Sequence, residues 1–453
     1  MDTTSILRDQ NRWWANPRHR ETLRLPRRRD AFGRILEYLG DVHGGRAAAL
    51  LGPRQVGKTT LLLQVVDELL VKGWPAGNIV FFDFSDERLV SAVSPREVVE
   101  GPPVGLSAEY PRVFLFDEIQ NAPGWQKWLK GAVDQSRRAA GAGSRFIVTG
   151  SAAASLRQGG VESGQGRWDE IPIEGLTLAE FLRLGSPLDE DAPPTTVRDP
   201  HAFARYLEVG GFPEHISAVV PVREAQRRIR EDIADRAILR DLLSTGLDVE
   251  RLRQLFVYLV NGSGNAWSQA KRAQDLEANR KSLADWLSAL EGTHLIARLD
   301  RDSHARGKAR TQLRQQPKIF ASDHGLITAF ASDPEPFEVP DVRARVFEAS
   351  VYRHLRELAR ADSGVLSFGR IEEDLEVDFI VRYPAVAVGI EVTCNSDAKP
   401  RKLARAAQAM DKMGIDRKVL VHGGLVSGST GDIQIVPLHE FLLAPERFAG
   451  GKK

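Results

Sequence analysis

The stretch Gly52-Pro53-Arg54-Gln55-Val56-Gly57-Lys58-Thr59 decides the fold of this chain, because it has the spacing of a phosphate-binding P-loop. An apolar segment at 47–51 precedes it, and an apolar helical run that begins at Thr60 follows it. A buried strand, a glycine-rich loop and a helix N-terminus together direct several backbone N–H groups at one anion. We therefore expect residues 52–60 to bind ATP, with Lys58 on the β- and γ-phosphates and the Thr59 hydroxyl in the shell of a Mg²⁺ ion.

The length and composition are those of an ordinary globular protein. The chain has 453 residues, of which 42% are hydrophobic and 27% charged, with a formal net charge of +1. This length allows about two to four domains, and the near-neutral charge means that any site for nucleic acid must be local. The single cysteine, Cys394, excludes an intrachain disulfide framework, and no apolar run is long enough to span a membrane. We expect a cytoplasmic protein that does not contact a membrane.

A pair of acids supports the nucleotide site. The region 31–185 alternates apolar strands and helices, as a doubly wound parallel α/β sheet requires. The strand at 113–116 ends in Asp117 and Glu118, which is the Walker B pattern, and it delivers both acids to the sheet edge that carries the P-loop. We expect Asp117 to orient Mg²⁺ through its water shell and Glu118 to polarise the attacking water as general base.

Polar side chains also follow the next strand. The run 145–148 ends in Thr149-Gly150-Ser151, beside the Walker B strand. Either Thr149 or Ser151 could reach the γ-phosphate or the attacking water, and the sequence does not decide between them. Thr149 is our catalytic candidate.

A glycine-rich loop then presents Arg167. An arginine on such a loop is placed to act as an arginine finger on the nucleotide of a neighbouring subunit, which predicts a homo-oligomer. The alternative is a surface arginine that pairs with Asp169 or Glu170.

The middle of the chain has the pattern of a winged helix. A proline-rich stretch closes the ATPase region, and 186–245 is predicted to form a linker and a helical lid. Region 246–333 then has two helices, a third helix that exposes Arg280 and Lys281, and a hairpin at 298–318 with seven Lys/Arg against two acids. Such a fold can lay its third helix in a groove of DNA or RNA and its wing on phosphates, so 280–281 and 298–318 are candidate nucleic-acid contacts. The alternative is a winged helix used for subunit contacts.

The last region, 334–453, is predicted to form a small α/β domain. Two neighbouring strands carry Asp378 and Glu391, whose carboxylates are placed to converge on one divalent cation. A water activated by that metal would attack a phosphodiester. These acids are therefore candidate metal ligands, in addition to Thr59 and Asp117.

The N-terminal arm, residues 1–30, is rich in arginine and tryptophan, including Trp13, Trp14 and the run 27–29. Basic residues with interleaved aromatic side chains could grip a nucleic-acid strand. We favour the other interpretation, an arm docked on the ATPase core or on a neighbouring subunit, because a basic patch alone is weak evidence.

Four blocks of the sequence resemble a bacterial and archaeal family of AAA-class P-loop ATPases. The blocks are GPRQVGKTTLL at 52–62, FLFDEIQ at 114–120, GGFPE at 210–214, and EVDFIV at 376–381 followed by GIEV at 389–392. The resemblance implies an AAA-like ATPase domain, a central winged helix and a C-terminal restriction-endonuclease-like domain. It also places Arg167 at the Gly-Arg position that precedes the last core strand of the family.

The same resemblance places Asp378 and Glu391 on the acids of the PD-(D/E)xK nuclease pattern. The chain departs from that pattern at Thr393, where the family has a lysine. Threonine cannot supply the positive charge that steadies the attacking water. Either Lys399 or Lys402 substitutes from the next helix, or the domain is an inactive relic, which is the interpretation we favour.

Together, these patterns predict that the protein is a Mg²⁺-dependent ATPase that acts on nucleic acid. The main alternative is a non-enzymatic switch, in which ATP binding governs assembly and the C-terminal domains bind a protein partner. A third alternative is a protein-remodelling machine, for which the sequence shows no clear aromatic pore loop after the second strand.

Overall fold

The structure is a computed structural model that describes most of the chain. The chain divides into two compact units, Met1–Ile173 (unit 1) and Glu174–Lys453 (unit 2). Within the described residues, no helix is long and apolar enough to cross a membrane. The described residues are 3–23, 27–40, 45–101, 105–139, 143–150, 166–186, 194, 196–242, 246–268, 278–302, 316–372, 375–396 and 400–451.

Unit 1 is built on a five-stranded sheet. In chain order the strands are β1 Ala47–Leu51, β2 Ile79–Asp83, β3 Val113–Asp117, β4 Arg145–Gly150 and β5 Trp168–Pro172. They lie side by side in the order β2-β3-β4-β1-β5, and every pairing is parallel. Strands β1 to β4 are almost entirely buried, as apolar runs in a helix-covered parallel sheet should be. This confirms the parallel sheet of a P-loop NTPase fold.

The helices of unit 1 pack around this sheet. Helix α3 starts at Lys58, directly after the P-loop, and buries Leu61, Leu62, Val65 and Val66. Helix α5 adds apolar side chains to the core formed by the phenylalanines of β3 and β4. Among the described residues of unit 1 the α-helices are α1 Thr3–Gln10, α2 Ala31–Glu37, α3 Lys58–Val71, α4 Pro95–Val99 and α5 Trp125–Arg138.

The N-terminal arm covers the outer edge of β2. The Asn11 side-chain amide donates to the carbonyl oxygen of Phe81, and its oxygen accepts from the Phe81 N–H, both at 2.7 Å. The indole N–H groups of Trp13 and Trp14 donate to the carbonyl oxygen of Ile79 at 3.2 and 2.9 Å. The arm is thus docked on the five-stranded sheet of its own chain, as one of the two forms of the interpretation favoured from the sequence predicts.

The basic run at 27–29 also contacts its own unit. Arg28 forms an ion pair of 2.7 Å with Glu68 of α3. Arg29 is buried and donates a 2.8 Å hydrogen bond to the carbonyl oxygen of Val56 in the P-loop. The segment before α2 is therefore attached to the loop and helix that the sequence assigns to nucleotide binding.

The first part of unit 2 is helical. Its described α-helices are α6 Leu178–Gly185, α7 Pro200–Val209, α8 Val222–Arg228, α9 Val249–Asn261, α10 Arg280–Glu291 and α11 Gly325–Phe330. Helix α6 begins with the predicted capping box, in which Thr177 and Glu180 exchange side-chain hydrogen bonds. Helix α8 continues as π-helical turns to Asp241. The helix predicted near 268–276 lies outside the described residues, apart from its first position.

An antiparallel hairpin lies between α10 and α11. Its strands are β6 Ile296–Leu299 and β7 Lys318–Ala321. The tip of the predicted wing, 303–315, lies outside the described residues. The base of the hairpin contacts the following sheet, because Asp302 forms a bidentate ion pair with Arg382 at 2.7–3.2 Å.

The C-terminal part of unit 2 is a mixed six-stranded sheet. Its strands lie in the order β12-β13-β11-β10-β9-β8, with β8, β9 and β10 antiparallel and β11 parallel to both β10 and β13. Helices α12, α14 and α15 pack against one another and α13 packs on β9. The strands and helices are β8 Val365–Glu372, β9 Leu375–Arg382, β10 Ala387–Thr393, β11 Arg417–His422, β12 Gly428–Thr430, β13 Ile433–Pro437, α12 Pro340–Ala361, α13 Pro400–Lys412, α14 Leu438–Leu443 and α15 Pro445–Ala449.

The GGFPE block is a packing feature inside unit 2. Gly210 has a φ of 73°, and a side-chain carbon there would lie 1.8 Å from Oδ1 of Asp323. The same carboxylate accepts hydrogen bonds from the N–H groups of Gly211 (3.0 Å) and Gly325 (2.8 Å). A side-chain carbon on Gly211 would lie 2.5 Å from the backbone of Leu176. Both glycines are therefore required by close backbone packing.

A buried carboxylate anchors α12. Glu174 lies 2.7 Å from Arg360, 2.9 Å from Arg356 and 3.7 Å from Arg353, which we call the arginine trio. Burial by itself would raise the pKa of Glu174, but the arginine trio outweighs it and lowers that pKa to about 2. Glu174 is therefore ionised at neutral pH and holds three turns of α12.

Candidate functional site

The P-loop has the backbone shape of an anion-binding loop. Gln55 and Gly57 have φ angles of 61° and 91°, so the chain turns twice through the left-handed region before α3 begins. Successive N–H groups in such a turn point to one side and form a concave site for an anion. A side-chain carbon at Gly52 would lie 1.9 Å from the carbonyl oxygen of Ile173, so only glycine fits where the loop leaves β1.

Lys58 is held against this loop. Its ammonium group donates to the carbonyl oxygens of Gly52 and Pro53 at 2.9 and 2.8 Å, and its side chain is buried. Thr59 and Thr60 follow it in the first turn of α3, where both residues are exposed. The positive charge therefore lies at the loop predicted to bind phosphate.

Asp117 connects the P-loop helix to the neighbouring strand. Its Oδ2 accepts a 2.6 Å hydrogen bond from the Thr59 hydroxyl, and its Oδ1 accepts one from the Thr149 hydroxyl. The Thr149 oxygen in turn accepts the N–H of Glu118 at 3.0 Å. The structure thus brings together four of the residues proposed from sequence.

The environment of Asp117 shifts its titration. Burial raises the pKa of Asp117 to about 6, against the hydrogen bonds from Thr149 and Thr59, which lower it. Nearby Asp83, which pairs with Asp117 across β2 and β3, also has a pKa raised by burial. A cation placed among these oxygens would favour their ionised forms.

Arg167 directly precedes β5, an edge strand of the five-stranded sheet, and pairs with a different acid from those expected. Its guanidinium contacts the Asp134 carboxylate of α5 at 3.2 and 3.4 Å and is about one-third exposed. Its role as an arginine finger stays a prediction. Ser151, the other candidate beside Thr149, lies outside the described residues.

The two candidate metal ligands of the tail lie on adjacent strands. Phe379 of β9 pairs with Ile390 of β10, so Asp378 and Glu391 occupy the next position on each strand. Asp378 accepts a 2.9 Å hydrogen bond from the N–H of Val392. Across the described residues, no group of three or more His, Cys, Asp or Glu side chains has an arrangement that could hold a metal ion.

A lysine that the sequence assigned to the wing lies beside these acids. The Lys318 ammonium is 2.5 Å from Glu376, 3.4 Å from Glu348 and 4.0 Å from Asp378, and its side chain is only 6% exposed. Burial raises the pKa of Glu348 to about 8, so this carboxyl keeps its proton at neutral pH. Arg370 provides a second cation, 3.0 Å from Glu376. Glu376 thus lies between two cations, Lys318 and Arg370, and Asp378 faces the first of them.

The surface proposed for nucleic acid is only partly available. Arg280 and Lys281 are exposed in the first turn of α10, whose Asn279 cap accepts the N–H of Ser282. Arg301, in contrast, donates to the carbonyl oxygen of Arg370 on β8. The inclusion of Lys318 in this surface was wrong, because its ammonium is buried among carboxylates.

Similarity to known families agrees with the geometry of unit 1. Residues 45–182 match the family model described as an AAA domain, and this segment contains the P-loop, both Walker B acids, Thr149 and Arg167. Residues 45–182 form an AAA domain. Within this segment, the P-loop and the parallel sheet are those of an ATP-binding P-loop ATPase. Residues 200–336 and 343–441 match two domains of unknown function, DUF8612 and DUF4143.

Solved structures show distant similarity. A Walker-type ATPase of Pyrococcus abyssi is 17% identical with a TM-score of 0.37, covering 67% of this chain and 95% of its own. The ORC2 protein of Aeropyrum pernix is 13% identical with a TM-score of 0.39, covering 71% and 95%. A mutant RuvB of Thermotoga maritima is 15% identical with a TM-score of 0.29, covering 61% and 90%. A search of curated proteins finds no match.

Sequence reasoning missed two residues that support the AAA domain site. Gln120 lies three residues after Asp117, the last residue of β3, and its side-chain amide donates a hydrogen bond to the Glu118 carboxylate. Arg29 lies before the AAA domain and binds the carbonyl oxygen of Val56, as described above. Gln120 belongs to the quoted block FLFDEIQ and could have been named as a partner of Glu118. Nothing in the sequence spacing links Arg29 to the P-loop.

Proposed function

We propose that the AAA domain hydrolyses ATP in a Mg²⁺-dependent reaction with Glu118 as general base. The observation that carries this proposal is the pair of hydrogen bonds from Thr59 and Thr149 to Asp117, beside the P-loop. Serine or threonine from the P-loop and the Walker B aspartate are the protein groups that hold Mg²⁺ in such sites.

The residues present fit a Mg²⁺ ion. The Thr59 hydroxyl and the Asp117 carboxylate are hard oxygen ligands only 2.6 Å apart, and the acids Asp83 and Glu118 add negative charge nearby. When bound, Mg²⁺ would neutralise charge on the β- and γ-phosphates. The Thr149 hydroxyl would keep Asp117 oriented.

Glu118 is positioned by both its backbone and its side chain. It has a φ of 48°, which turns the chain away from β3, and its N–H is held by Thr149. Its carboxylate accepts from Gln120 and is partly exposed. A carboxylate held at the sheet edge can accept a proton from an attacking water, which is the role proposed for it.

Two substitutions test this assignment. Lys58→Ala should abolish ATP binding because it removes the charge at the loop, whereas Glu118→Gln should retain binding and slow turnover by about 10²–10⁴-fold. Glu170→Gln is the matched control, since Glu170 is exposed on β5. Wild-type turnover by the Glu118→Gln protein would show that the Walker B assignment is wrong.

The finer proposal for unit 2 is a winged helix that binds nucleic acid. Helices α9 and α10 and the hairpin β6–β7 supply the expected sequence of elements, and the buried stripe of α10 leaves Arg280 and Lys281 exposed. A wing within 298–317 would add to this surface, and Arg298 is exposed in its described part. A positively charged side chain in the exposed first turn of a helix can contact a phosphate group of nucleic acid.

Salt-dependent binding tests this surface. The double substitution Arg280→Gln and Lys281→Gln should lower the slope of log affinity against log salt by about 2 for duplex DNA or RNA. Arg223→Gln with Lys412→Gln makes the same charge change at other exposed positions of unit 2 and should leave the slope unchanged. An equal slope for both double variants, or no binding at low salt, would refute the proposal.

The second candidate is an ATP-regulated switch that binds a protein partner through unit 2. The observation that favours it is the use of Arg301 and Lys318 for contacts within unit 2. Helix α12, the antiparallel strands β8–β10 and the parallel β11 support a restriction-endonuclease-like tail, which we propose is inactive. ATPase activity that no nucleic acid stimulates, together with an ATP-dependent change of mass in light scattering, would support this candidate over the first.

A further inference from the structure

Lys318 is the only lysine of the described hairpin, and it points into unit 2. Its ammonium lies between Glu376, at 2.5 Å, and Glu348, at 3.4 Å, with Asp378 at 4.0 Å. The four residues come from three elements: β7, α12 and β9. One side chain therefore connects the hairpin to both layers of the tail.

Aromatic side chains flank the acids and the ammonium. The ring of Phe368 lies 5.4 Å from Nζ. Phe320, two residues after Lys318, stacks on Tyr352 of α12 at 4.2 Å, and Phe379 of β9 lies 5.7 Å from Phe320. The Lys318 side chain is only 6% exposed, and a lysine buried to this degree requires carboxylate partners in place.

This arrangement does not fit a divalent metal. Asp378 is one of the two candidate metal ligands of the nuclease pattern, and its Oδ1 already faces the Lys318 ammonium. A metal ion bound by Asp378 would lie next to a buried like charge, which is unfavourable at low dielectric. The chain therefore differs from the nuclease pattern in two ways at this site. Thr393 stands where the pattern has a lysine, and Lys318 brings a lysine from another strand.

We propose that Lys318 is a built-in cation for the carboxylates Glu376 and Asp378, which takes the place of a divalent metal ion and excludes it. The tail then serves as a closed joint between the hairpin and the six-stranded sheet, and it has no metal to activate a water. This assignment concerns unit 2 alone, so its failure would leave the proposed ATP hydrolysis unaffected.

Mn²⁺ binding to the full-length chain tests the proposal. An Asp117→Asn parent removes the metal site of the AAA domain, and Mn²⁺ alone is the probe, followed by electron paramagnetic resonance of free Mn²⁺. Adding Lys318→Met should create one Mn²⁺ site, with an affinity roughly 100-fold above any binding by the parent, because a like charge is removed. Further addition of Asp378→Asn should abolish that site.

Lys418→Met, on β11 of the six-stranded sheet, is the matched control. Lys418 is also a buried lysine between two acids, Asp411 and Asp432, but these carboxylates are about two-thirds exposed and can separate. The control should therefore gain no Mn²⁺ site. A gain as large as that of Lys318→Met would show that removing any buried lysine suffices, and would refute the proposal.

Four further outcomes decide the proposal. A parent that already binds Mn²⁺ in a manner lost with Asp378→Asn would overturn it, as would a folded Lys318→Met chain without a Mn²⁺ site. If Lys318→Met does not fold, Mn²⁺ should restore its thermal transition, because the metal then replaces the ammonium. If Mn²⁺ does not restore folding but Lys318→Arg folds without metal, the position needs a side chain with a particular shape or hydrogen-bonding pattern in addition to its charge. A metal ion would then not be equivalent to the lysine, and the proposal would be overturned.

Discussion

The Thr149 hydroxyl is predicted to control the pH dependence of the ATPase. It donates to Oδ1 of Asp117 and accepts the N–H of Glu118, and its side chain is fully buried. Thr149→Val replaces the hydroxyl with a methyl group of similar size, so packing is retained while both hydrogen bonds are lost. Thr149→Ser keeps the hydroxyl and serves as the control.

The size of the expected pKa change follows from the strength of the hydrogen bond that Thr149 donates to the Asp117 carboxylate. A hydrogen bond to an ionised group contributes about 1.5–3 kcal/mol, which corresponds to roughly one to two pKa units. The Thr149 donor favours ionised Asp117, so its loss raises the Asp117 pKa from about 6 to roughly 7–8. At pH 7 the ionised fraction would fall from roughly 90% to between about 10% and 50%.

The assay is the pH profile of kcat/KM for ATP with excess Mg²⁺, which reports groups of the free enzyme. We expect the acid limb of the Thr149→Val profile to move up by one to two pH units, on the order of the pKa change, while Thr149→Ser follows the wild type. An acid limb at the wild-type position in Thr149→Val would refute this reasoning, even if overall activity were lower. The hydroxyl would then act through Glu118 alone.

Three further predictions follow from other contacts. Glu174→Gln should lower the free energy of unfolding of unit 2 by about 3 kcal/mol at pH 7; because the folded pKa lies below the unfolded value, this difference should disappear as the pH falls from about 4.5 to 2 in urea titrations. Gly211→Ala should destabilise unit 2 by about 1–3 kcal/mol in the same assay, whereas Gly428→Ala, with open space around it, should have almost no effect. Arg167→Ala and Lys58→Ala chains, each inactive, should regain ATPase activity when mixed if Arg167 acts across a subunit boundary, whereas no recovery by chains that co-assemble would exclude that role.

The buried strands of the AAA domain could be predicted because each is a short apolar run. The sequence placed a strand at 113–116, and β3 is Val113–Asp117. The Walker B acids follow from that placement, since the end of a parallel strand fixes which sheet edge they reach. Strand β8 was not predicted, because Gly369 interrupts its apolar pattern and register shifts occur beside it.

Contacts between distant segments could not be predicted in the same way. Lys318 was assigned to an exposed wing because basic residues precede it in the sequence, and its acidic partners lie on two later elements, α12 and β9. The pairing of Arg167 with Asp134, rather than with Asp169 or Glu170, likewise depends on how α5 packs on the sheet. Charge in a sequence window shows neither the direction of a side chain nor its burial.

The docking of Asn11 on β2 has a consequence for how this protein avoids self-association. An exposed edge strand offers unpaired N–H and C=O groups to any other chain, and β2 is such an edge in the five-stranded sheet. Asn11 occupies both backbone groups of Phe81, and the two indoles occupy the carbonyl of Ile79. The arm thus protects the sheet from edge-to-edge aggregation, and a chain shortened to the P-loop region would carry an open, apolar edge.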